Sequence, residues 1–534
     1  MIMKIREILF AFIALVLIMS SCSTDKPEDL KHIPDDASFV FTMNPSELLN
    51  KSGTEEFTAT ELYKKITERA SYDSIDRDYD RVMEFDYIFQ NPKESGIDFE
   101  KQFFVYGVSN RNGWYRALAI NFGISDSKKF VAMLKKATEE NMDSLEFVET
   151  EEYNYLISNK MDNRKIIAWN NSTAIIYSIT KGYRGKDLLI ERAEGLINLK
   201  LSNSIATNKS FVEFYENRKD INIWFNSDFV LNSIPNQFKT VVATQLPINP
   251  KGIEYYYYVS FDKGRVIAES QLILPEELKD LIEEYKIIKD DFDNDILKYI
   301  PNESFANFSV AVNAHELYRM IKDLYKERQV NIDGVESMAE VSMDIDIERI
   351  FSAINGEVVF NIHHIEVKKD SAGCGSPVDV KASLLLKLDN DELYKGFLKI
   401  FEDNEKEMID GYYSILDDSS RLYASMVNNI MLITNDKEVI INFVAEKALS
   451  KSLKDSDIAK YLENYALFAQ LNLDYSEYDS QIQEYYNERY FSYDKAGMKN
   501  KLKEIRIEPT DSYHSRIIIE FKDKERNSLE VMLN

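Results

Sequence analysis

Ile33-Pro-Asp-Asp-Ala-Ser-Phe-Val-Phe-Thr-Met-Asn-Pro-Ser-Glu-Leu-Leu49 runs a strand directly into a helix, and the chain writes a similar phrase again later. Phe39 to Met43 is rich in strand formers, and Asn44-Pro-Ser46 starts a helix, with Pro45 fitting its first turn. From Ile300 the order returns: Ile300-Pro-Asn-Glu303, an apolar run, Asn313, then Glu316-Leu-Tyr318. Working outward, Ile97-Asp-Phe-Glu-Lys101 recurs as Ile345-Asp-Ile-Glu-Arg349, and Leu118-Ala-Ile-Asn-Phe122 as Leu384-Leu-Leu-Lys-Leu388. Ile166 to Asn170 before Thr173 to Tyr177 matches Leu422 to Met426 before Ile430 to Ile433, and Tyr215-Glu-Asn217 before a strand matches Leu462-Glu-Asn464. Each match is weak; their shared order is the argument for an internal duplication.

Both halves read alike in detail. Residues 102–109 and 114–122 are strands joined by Asn110-Arg-Asn-Gly113, a hairpin signal. Phe130, Met133, Leu134 and Ala137 fall at i, i+3, i+4 and i+7, an amphipathic helix, as do Leu393, Phe397, Ile400 and Phe401 in its counterpart. Short strands cover 145–179, and 253–262 and 265–274 turn at Asp262-Lys-Gly264. Residues 515–522 and 527–533 read as a closing strand pair, and 276–299 as a charged helix between the halves. Hairpins outnumber strand–helix–strand crossovers, so the expected class is α+β: two tandem, internally duplicated halves, each a largely antiparallel sheet with helices on one face. The expected division is a signal over 1–21, an anchor and tether over 22–32, and repeat domains over 33–285 and 286–534.

The N-terminus sets the address. Ile8 to Met19 is an unbroken apolar run after Lys4 and Arg6 and before Ser20-Ser-Cys22, which reads as a secretory signal. Such a run rises only about 18 Å as a helix, short of a ~30 Å hydrocarbon core. The 534 residues suffice for several domains, and 44 % hydrophobic residues suffice for sizeable cores. A net charge of −26 repels phosphate backbones and anionic headgroups, so nucleic acid is not an expected partner and membrane contact falls to an anchor. With Cys22 as the anchor, Cys374 has no internal disulfide partner and is read as a free loop thiol.

The signal with its cysteine resembles a bacterial lipoprotein signal, although Met19 stands where Leu is usual. That resemblance implies acylation of Cys22 and anchoring to the outer membrane. Together with Ile33-Pro-Asp-Asp-Ala-Ser-Phe39, Ser95-Gly-Ile-Asp98 and Arg116-Ala-Leu118, it makes nearly the whole mature chain resemble a domain-of-unknown-function family of uncharacterised Bacteroidota lipoproteins. The family's motifs are structural in kind and bring no catalytic residue. Asp25, Glu28 and Asp29 resemble surface-export signals, but Lys26 and Pro27 interrupt them, so the periplasmic and outer faces both stay open.

Catalytic patterns are weak. His363 and His364 are adjacent on a strand and point to opposite faces, which prevents joint metal binding, and His315 reads as a surface residue. Asp291-Phe-Asp-Asn-Asp295 begins like a calcium loop but lacks its later Gly and Glu, and reads as a helix start. Ser125-Asp-Ser-Lys128 and Ser492-Tyr-Asp-Lys495 match Ser-x-x-Lys; capping by Ser125 explains the first. No cofactor or metal is expected. Tyr255 to Tyr258, consecutive in a strand, place two rings on each side, while Tyr475, Tyr478, Tyr485, Tyr486, Tyr490 and Tyr493 crowd one charged segment. These six are the candidate binding residues, suited to sugar rings or a protein partner. The expected function is a lipid-anchored envelope protein with a non-catalytic binding or assembly role; the rival is an envelope hydrolase using paired carboxylates on glycan or cell-wall material.

Overall fold

The computed structural model describes residues 27–534 except 62, 65–89, 110–115, 139–144, 159–164, 182–184, 234–250, 290, 328–345, 368–377, 403, 418–419, 475, 477 and 490–496. Cys22, Cys374, Ser492-Tyr-Asp-Lys495 and the turns at 110–113 and 161–164 lie outside the described residues. The described residues form two compact units, one from those within 1–42 and 92–218, the other from those within 43–91 and 219–534.

The first unit holds strands β1 (Ala37–Met43), β2 (Ile97–Asp98), β3 (Phe103–Ser109), β4 (Arg116–Ile124), β5 (Leu145–Glu149), β6 (Asn154–Ser158), β7 (Lys165–Trp169) and β8 (Thr173–Lys181). They pair in the order β5-β6-β7-β8-β4-β3-β1, with β2 beside the end of β4. Phe104 pairs with Asn121, and its ring lies 5.9 Å from Tyr215 on the helix Lys209–Glu216. Phe122, one residue on and therefore on the other face, meets Phe130 of the helix Ser127–Ala137 at 6.0 Å. Residues 28–32, read as tether, are built into this unit: Glu28–Leu30 form a 3-10 turn, and Leu30 and Ile33 are fully buried.

The second unit holds β9 (Ile221–Asn226), β10 (Glu254–Asp262), β11 (Arg265–Ile273), β12 (Ala306–Asn313), β13 (Ile354–Val367), β14 (Val378–Leu388), β15 (Glu405–Ile409), β16 (Tyr412–Asp417), β17 (Ser420–Val427), β18 (Ile430–Thr434), β19 (Leu467–Asn472), β20 (Leu502–Pro509) and β21 (His514–Phe521). Every pairing is antiparallel, in the order β9-β10-β11-β21-β20-β19-β12-β13-β14-β18-β17-β16-β15. Leu385 packs with Ile440 and Phe443 of the helix Lys437–Val444, whereas Leu386 and Leu388 pack with Leu393 and Phe397 of the helix Glu392–Ile400. Successive residues of one strand face opposite ways. Helices therefore cover both faces of this sheet, which corrects the expectation of one. Leu384-Leu-Leu386 carried the signal, because a strand apolar at every position is buried on both sides.

Three further expectations change. Residues 527–533 are not a strand: Ser528–Leu533 is a helix capped by Asn527, which accepts from the Leu529 N–H while its amide donates to the Phe261 carbonyl. The alternating Leu529, Val531 and Leu533 imitate a strand, but the cap decides. The segment 276–299 breaks, because Lys286 turns left-handed (φ 43°) after the helix Glu276–Tyr285, and only a 3-10 helix, Asn294–Tyr299, follows. Asp126, not Ser125, caps the helix Ser127–Ala137, accepting from Lys128 and Lys129; Ser125 Oγ donates to the Gly96 and Ile97 carbonyls instead.

The two helix-start readings agree with the structure. Asp293 caps the 3-10 helix, and Asn44 caps the helix Pro45–Lys51, with Pro45 in the first turn. His363 is 4 % exposed beside Asp436, 3.4 Å away, while His364 on the other face reaches Glu366 at 3.6 Å. His315, read as a surface residue, is half-buried, with Nδ1 3.0 Å from the Ser352 hydroxyl. Among the described residues no helix is long and apolar enough to cross a membrane, and no group of His, Cys, Asp and Glu is arranged to hold a metal.

Candidate functional site: a tyrosine-lined cleft

Four consecutive tyrosines on β10 divide between two faces. Tyr256 and Tyr258 are 3 % and 8 % exposed. The Tyr256 hydroxyl and the Trp224 indole N–H both donate to Glu254, at 3.2 and 3.0 Å, which fixes this side of the hairpin. Tyr255 and Tyr257 face the other way and stay half-exposed. Phe225 on β9 stacks against both rings, at 4.8 and 5.9 Å, so one side of the aromatic row is covered.

On the opposite side the sheet supplies small residues. Tyr257 pairs with Ser270, and Ser270 pairs with Ser515. Their hydroxyls meet at 2.6 Å. Two serines among tyrosines leave a trough, and it opens into a cleft of about 550 Å³, of the size that holds a small ligand. Ile507, Pro509 and Leu272 continue the floor, and Ile288 and Lys289 form a wall.

The β20–β21 turn makes the rim. Asp511 accepts from the Tyr513 and His514 backbone N–H groups at 2.8 and 2.9 Å, and its carboxylate lies 2.8 Å from His514 Nδ1. Burial works to raise the Asp511 pKa, but these N–H groups and the ring outweigh it and hold the carboxyl below its ordinary range. The Tyr513 carbonyl accepts from the Leu272 N–H at 2.8 Å, docking the turn onto β11. The Tyr513 hydroxyl is shielded from water and has no hydrogen-bond partner among the described residues; burial first, then the Glu283 and Asp511 carboxylates, push its pKa up.

The floor extends beyond the cleft as an apolar row. Ile517 pairs with Ile507, Ile507 with Ala469, Ala469 with Phe308, and Phe308 with Phe360. Ile517, Ile507, Phe308 and Phe360 are each 38–42 % exposed, and they share one face because they occupy one register line. This arrangement offers ring faces, an ionised acceptor and hydroxyls, which suits holding a ring-bearing ligand.

None of the tyrosines singled out from sequence as binding residues is among the described residues lining the cleft. Tyr475, Tyr490 and Tyr493 are outside the described residues, and Tyr485 and Tyr486 lie on the helix Ser480–Arg489 with side chains also outside them. Tyr478 has a structural part: its hydroxyl donates to the Asn472 carbonyl at 2.7 Å and its ring lies 4.8 Å from Phe305. The cleft brings together Tyr255, Tyr257, Tyr465 and Tyr513, of which the sequence flagged only the first two, as strand packing.

Comparison with known proteins adds family membership. No curated protein matches the chain. Among solved structures, "Structure of crystal form I of TP0453" is similar at 10 % identity and a TM-score of 0.24, covering 49 % of this chain and 86 % of that one. "Structure of crystal form III of TP0453" is similar at 10 % identity and a TM-score of 0.23, covering 48 % and 85 %. The family model described as "Domain of unknown function (DUF4836)" matches residues 31–529, and the chain therefore belongs to that family.

Proposed function

We propose that the protein is a Bacteroidota lipoprotein of the outer membrane, anchored by lipid on Cys22, that serves a non-catalytic binding or assembly role through the tyrosine cleft. The cleft carries this reading, because Tyr255 and Tyr257 present ring faces beside Asp511 in a space large enough for a ligand. Glycoside hydrolysis uses two carboxyl groups about 5–10 Å apart. Of the described residues lining the cleft, Asp511 alone carries one, which favours binding over hydrolysis. The ligand is a ring-bearing group, a sugar of an envelope glycan or an aromatic side chain of an envelope protein. Calorimetry on the full lipidated chain in detergent tests this with two probes, chitotetraose and a tyrosine-containing peptide. Tyr257→Ala should weaken binding of one of them at least tenfold while the melting temperature moves by no more than a few degrees. Binding by neither probe, or binding indifferent to Tyr257, would sink the reading.

The anchor has its own test. Cys22→Ala should shift the chain from the membrane pellet to the soluble fraction, because two or more acyl chains supply stable attachment where none else is proposed. A variant still wholly in the pellet refutes it.

We also infer that residues 33–285 and 286–534 are copies. The order β5-β6-β7-β8-β4-β3-β1 in one has the same succession as β15-β16-β17-β18-β14-β13-β12 in the other. Small contacts repeat as well. The Ile33 carbonyl accepts from Ile205 N–H and the Ile300 carbonyl from Leu453 N–H, both at 2.8 Å. Asn44 accepts from the Glu47 N–H at 3.0 Å, and Asn313 from the Glu316 N–H at 3.3 Å. An experimental structure in which Asn44 and Asn313 do not superpose ends this reading.

A further inference from the structure

The two halves treat one position differently, an observation that rests on the reading of them as copies. Lys387 on β14 pairs with Ile430, the first residue of β18, as Gly123 on β4 pairs with Thr173, the first residue of β8. The Lys387 ammonium donates to Asp293 at 2.9 Å and lies 3.4 Å from Glu357, whose side chain is 5 % exposed. Its place is thus built for a cation, with two carboxylates around it. These contacts hold the Lys387 pKa up and, against the effect of burial, the Asp293 pKa down.

Gly123 carries no side chain, and it borders an open space instead. A cavity of about 230 Å³ lies there in the first unit, lined by Asn121, His32, Glu28, Asp29, Lys31 and Lys101 among others. Asn121 is 4 % exposed, and its side-chain oxygen has no hydrogen-bond partner among the described residues. His32 Nδ1 lies 3.1 Å from the Leu196 carbonyl, which can only accept, so Nδ1 carries the proton and Nε2 is left as an acceptor. Burial lowers the His32 pKa and keeps the ring neutral. The wall therefore offers an amide oxygen, an imidazole nitrogen and two carboxylates to a donor, while Lys31 and Lys101 offer positive charge to an attached anion.

We propose that this cavity binds a small zwitterion through its primary ammonium, which takes the part that the Lys387 ammonium plays in the other half. The same chemistry is presented by a free amino acid and by the ethanolamine phosphate of a lipid headgroup. Thermal unfolding of the full lipidated chain, first in detergent and then in nanodiscs, separates them. L-alanine and O-phosphoethanolamine are the free probes, O-phosphocholine is the control without N–H donors, and phosphatidylethanolamine discs are compared with phosphatidylcholine discs. The expected result is a saturable rise in melting temperature with at least one primary-ammonium probe and at least tenfold weaker response to O-phosphocholine. Protection in phosphatidylethanolamine discs assigns a lipid headgroup, and protection by L-alanine alone assigns a free amino acid. Gly123→Lys should abolish the response while the chain stays folded. Asn121→Leu should abolish it too, and that loss supports the site even where Gly123→Lys cannot fold, an outcome that counts only against the equivalence with Lys387. No response to either primary-ammonium probe and none in the discs, an equal response to O-phosphocholine, or a response that survives Asn121→Leu overturns the proposal. The tyrosine cleft lies in the other unit, so its probes and variants succeed or fail independently.

Discussion

Arg506→Met should destabilise the second unit by about 3–5 kcal/mol, the usual cost of removing one partner from a buried charge network. Arg506 on β20 is 11 % exposed and sits among three carboxylates. It donates to Glu504, to Glu508 at 3.0 Å and to Glu520 at 3.0 Å, and its guanidinium lies 5.3 Å from the Tyr461 ring centre. Glu504 and Glu508 are themselves 8 % and 7 % exposed. Methionine fills the volume but leaves those carboxylates buried together without a counter-charge. Removing them as well, with Glu504→Gln and Glu508→Gln added to Arg506→Met, should recover a large part of the loss. Arg506→Lys should recover little, because one ammonium cannot fork to three carboxylates. Denaturant unfolding of the three variants decides; an Arg506→Met chain within about 1 kcal/mol of wild type would show that the network is neutral.

The same network gives stability a pH dependence of known sign. Burial raises the Glu520 pKa, but Lys524 and Arg506 outweigh it and hold the group below its ordinary value of 4.5. A carboxyl with a lowered folded pKa contributes stability that is present above the unfolded value and lost as pH falls through the folded one. Asp436 adds to this: His363 first, then Lys381 and the Glu438 N–H, hold it well below the ordinary 3.8 against the effect of burial. Melting temperature should therefore be flat above about pH 5 and fall below about pH 4. In Arg506→Met the Glu520 share of that acid slope should shrink.

Local chemistry was legible in the sequence wherever neighbours along the chain decide it. The turn at Asp262-Lys-Gly264, the buried stripe Phe130, Met133 and Leu134, and the Asn44 cap all depend on residues within a few positions. The cleft does not. Its floor exists because Ser270 meets Ser515, 245 positions away, and no period along the chain shows that two small residues will be cross-strand neighbours. Arg506 is a similar case. Its sequence, Glu504-Ile-Arg-Ile-Glu508, reads as an ordinary solvated strand with alternating charges, and only pairing with β19 and β21 puts the polar face inside. The crowd of tyrosines in 475–493 drew attention by number, whereas the tyrosines of the cleft are gathered by the fold from distant parts of the chain.

Gly96→Ala should cost the first unit more than about 3 kcal/mol, from left-handed strain of ~1 kcal/mol or more and overpacking of ~1–3 kcal/mol. Ser95-Gly-Ile-Asp98 looked like a structural motif in the sequence, and the reason lies in what its glycine touches. Gly96 has φ +72°, the region L side chains rarely adopt. Its carbonyl accepts from the Ser125 and Asp126 N–H groups at 2.9 and 3.2 Å, so it abuts the start of the helix Ser127–Ala137. A Cβ here would collide with the Asp126 carbonyl oxygen and come within 2.5 Å of the Phe130 nitrogen. Both are backbone atoms of a helix entry and cannot swing aside as the tip of a side chain can. Relief would have to move the whole first turn, and with it Phe130, which is 1 % exposed and packs edge-on to Phe122 and Trp169. Gly195 is the control: a Cβ there meets nothing within 4 Å on the helix Lys186–Ile197. Gly195→Ala should be neutral or stabilising by up to ~1 kcal/mol, since alanine removes the entropy cost of glycine in a helix. Thermal unfolding of the two variants side by side reads the contrast, and a Gly96→Ala chain melting within about 2 °C of wild type would show that the helix entry yields.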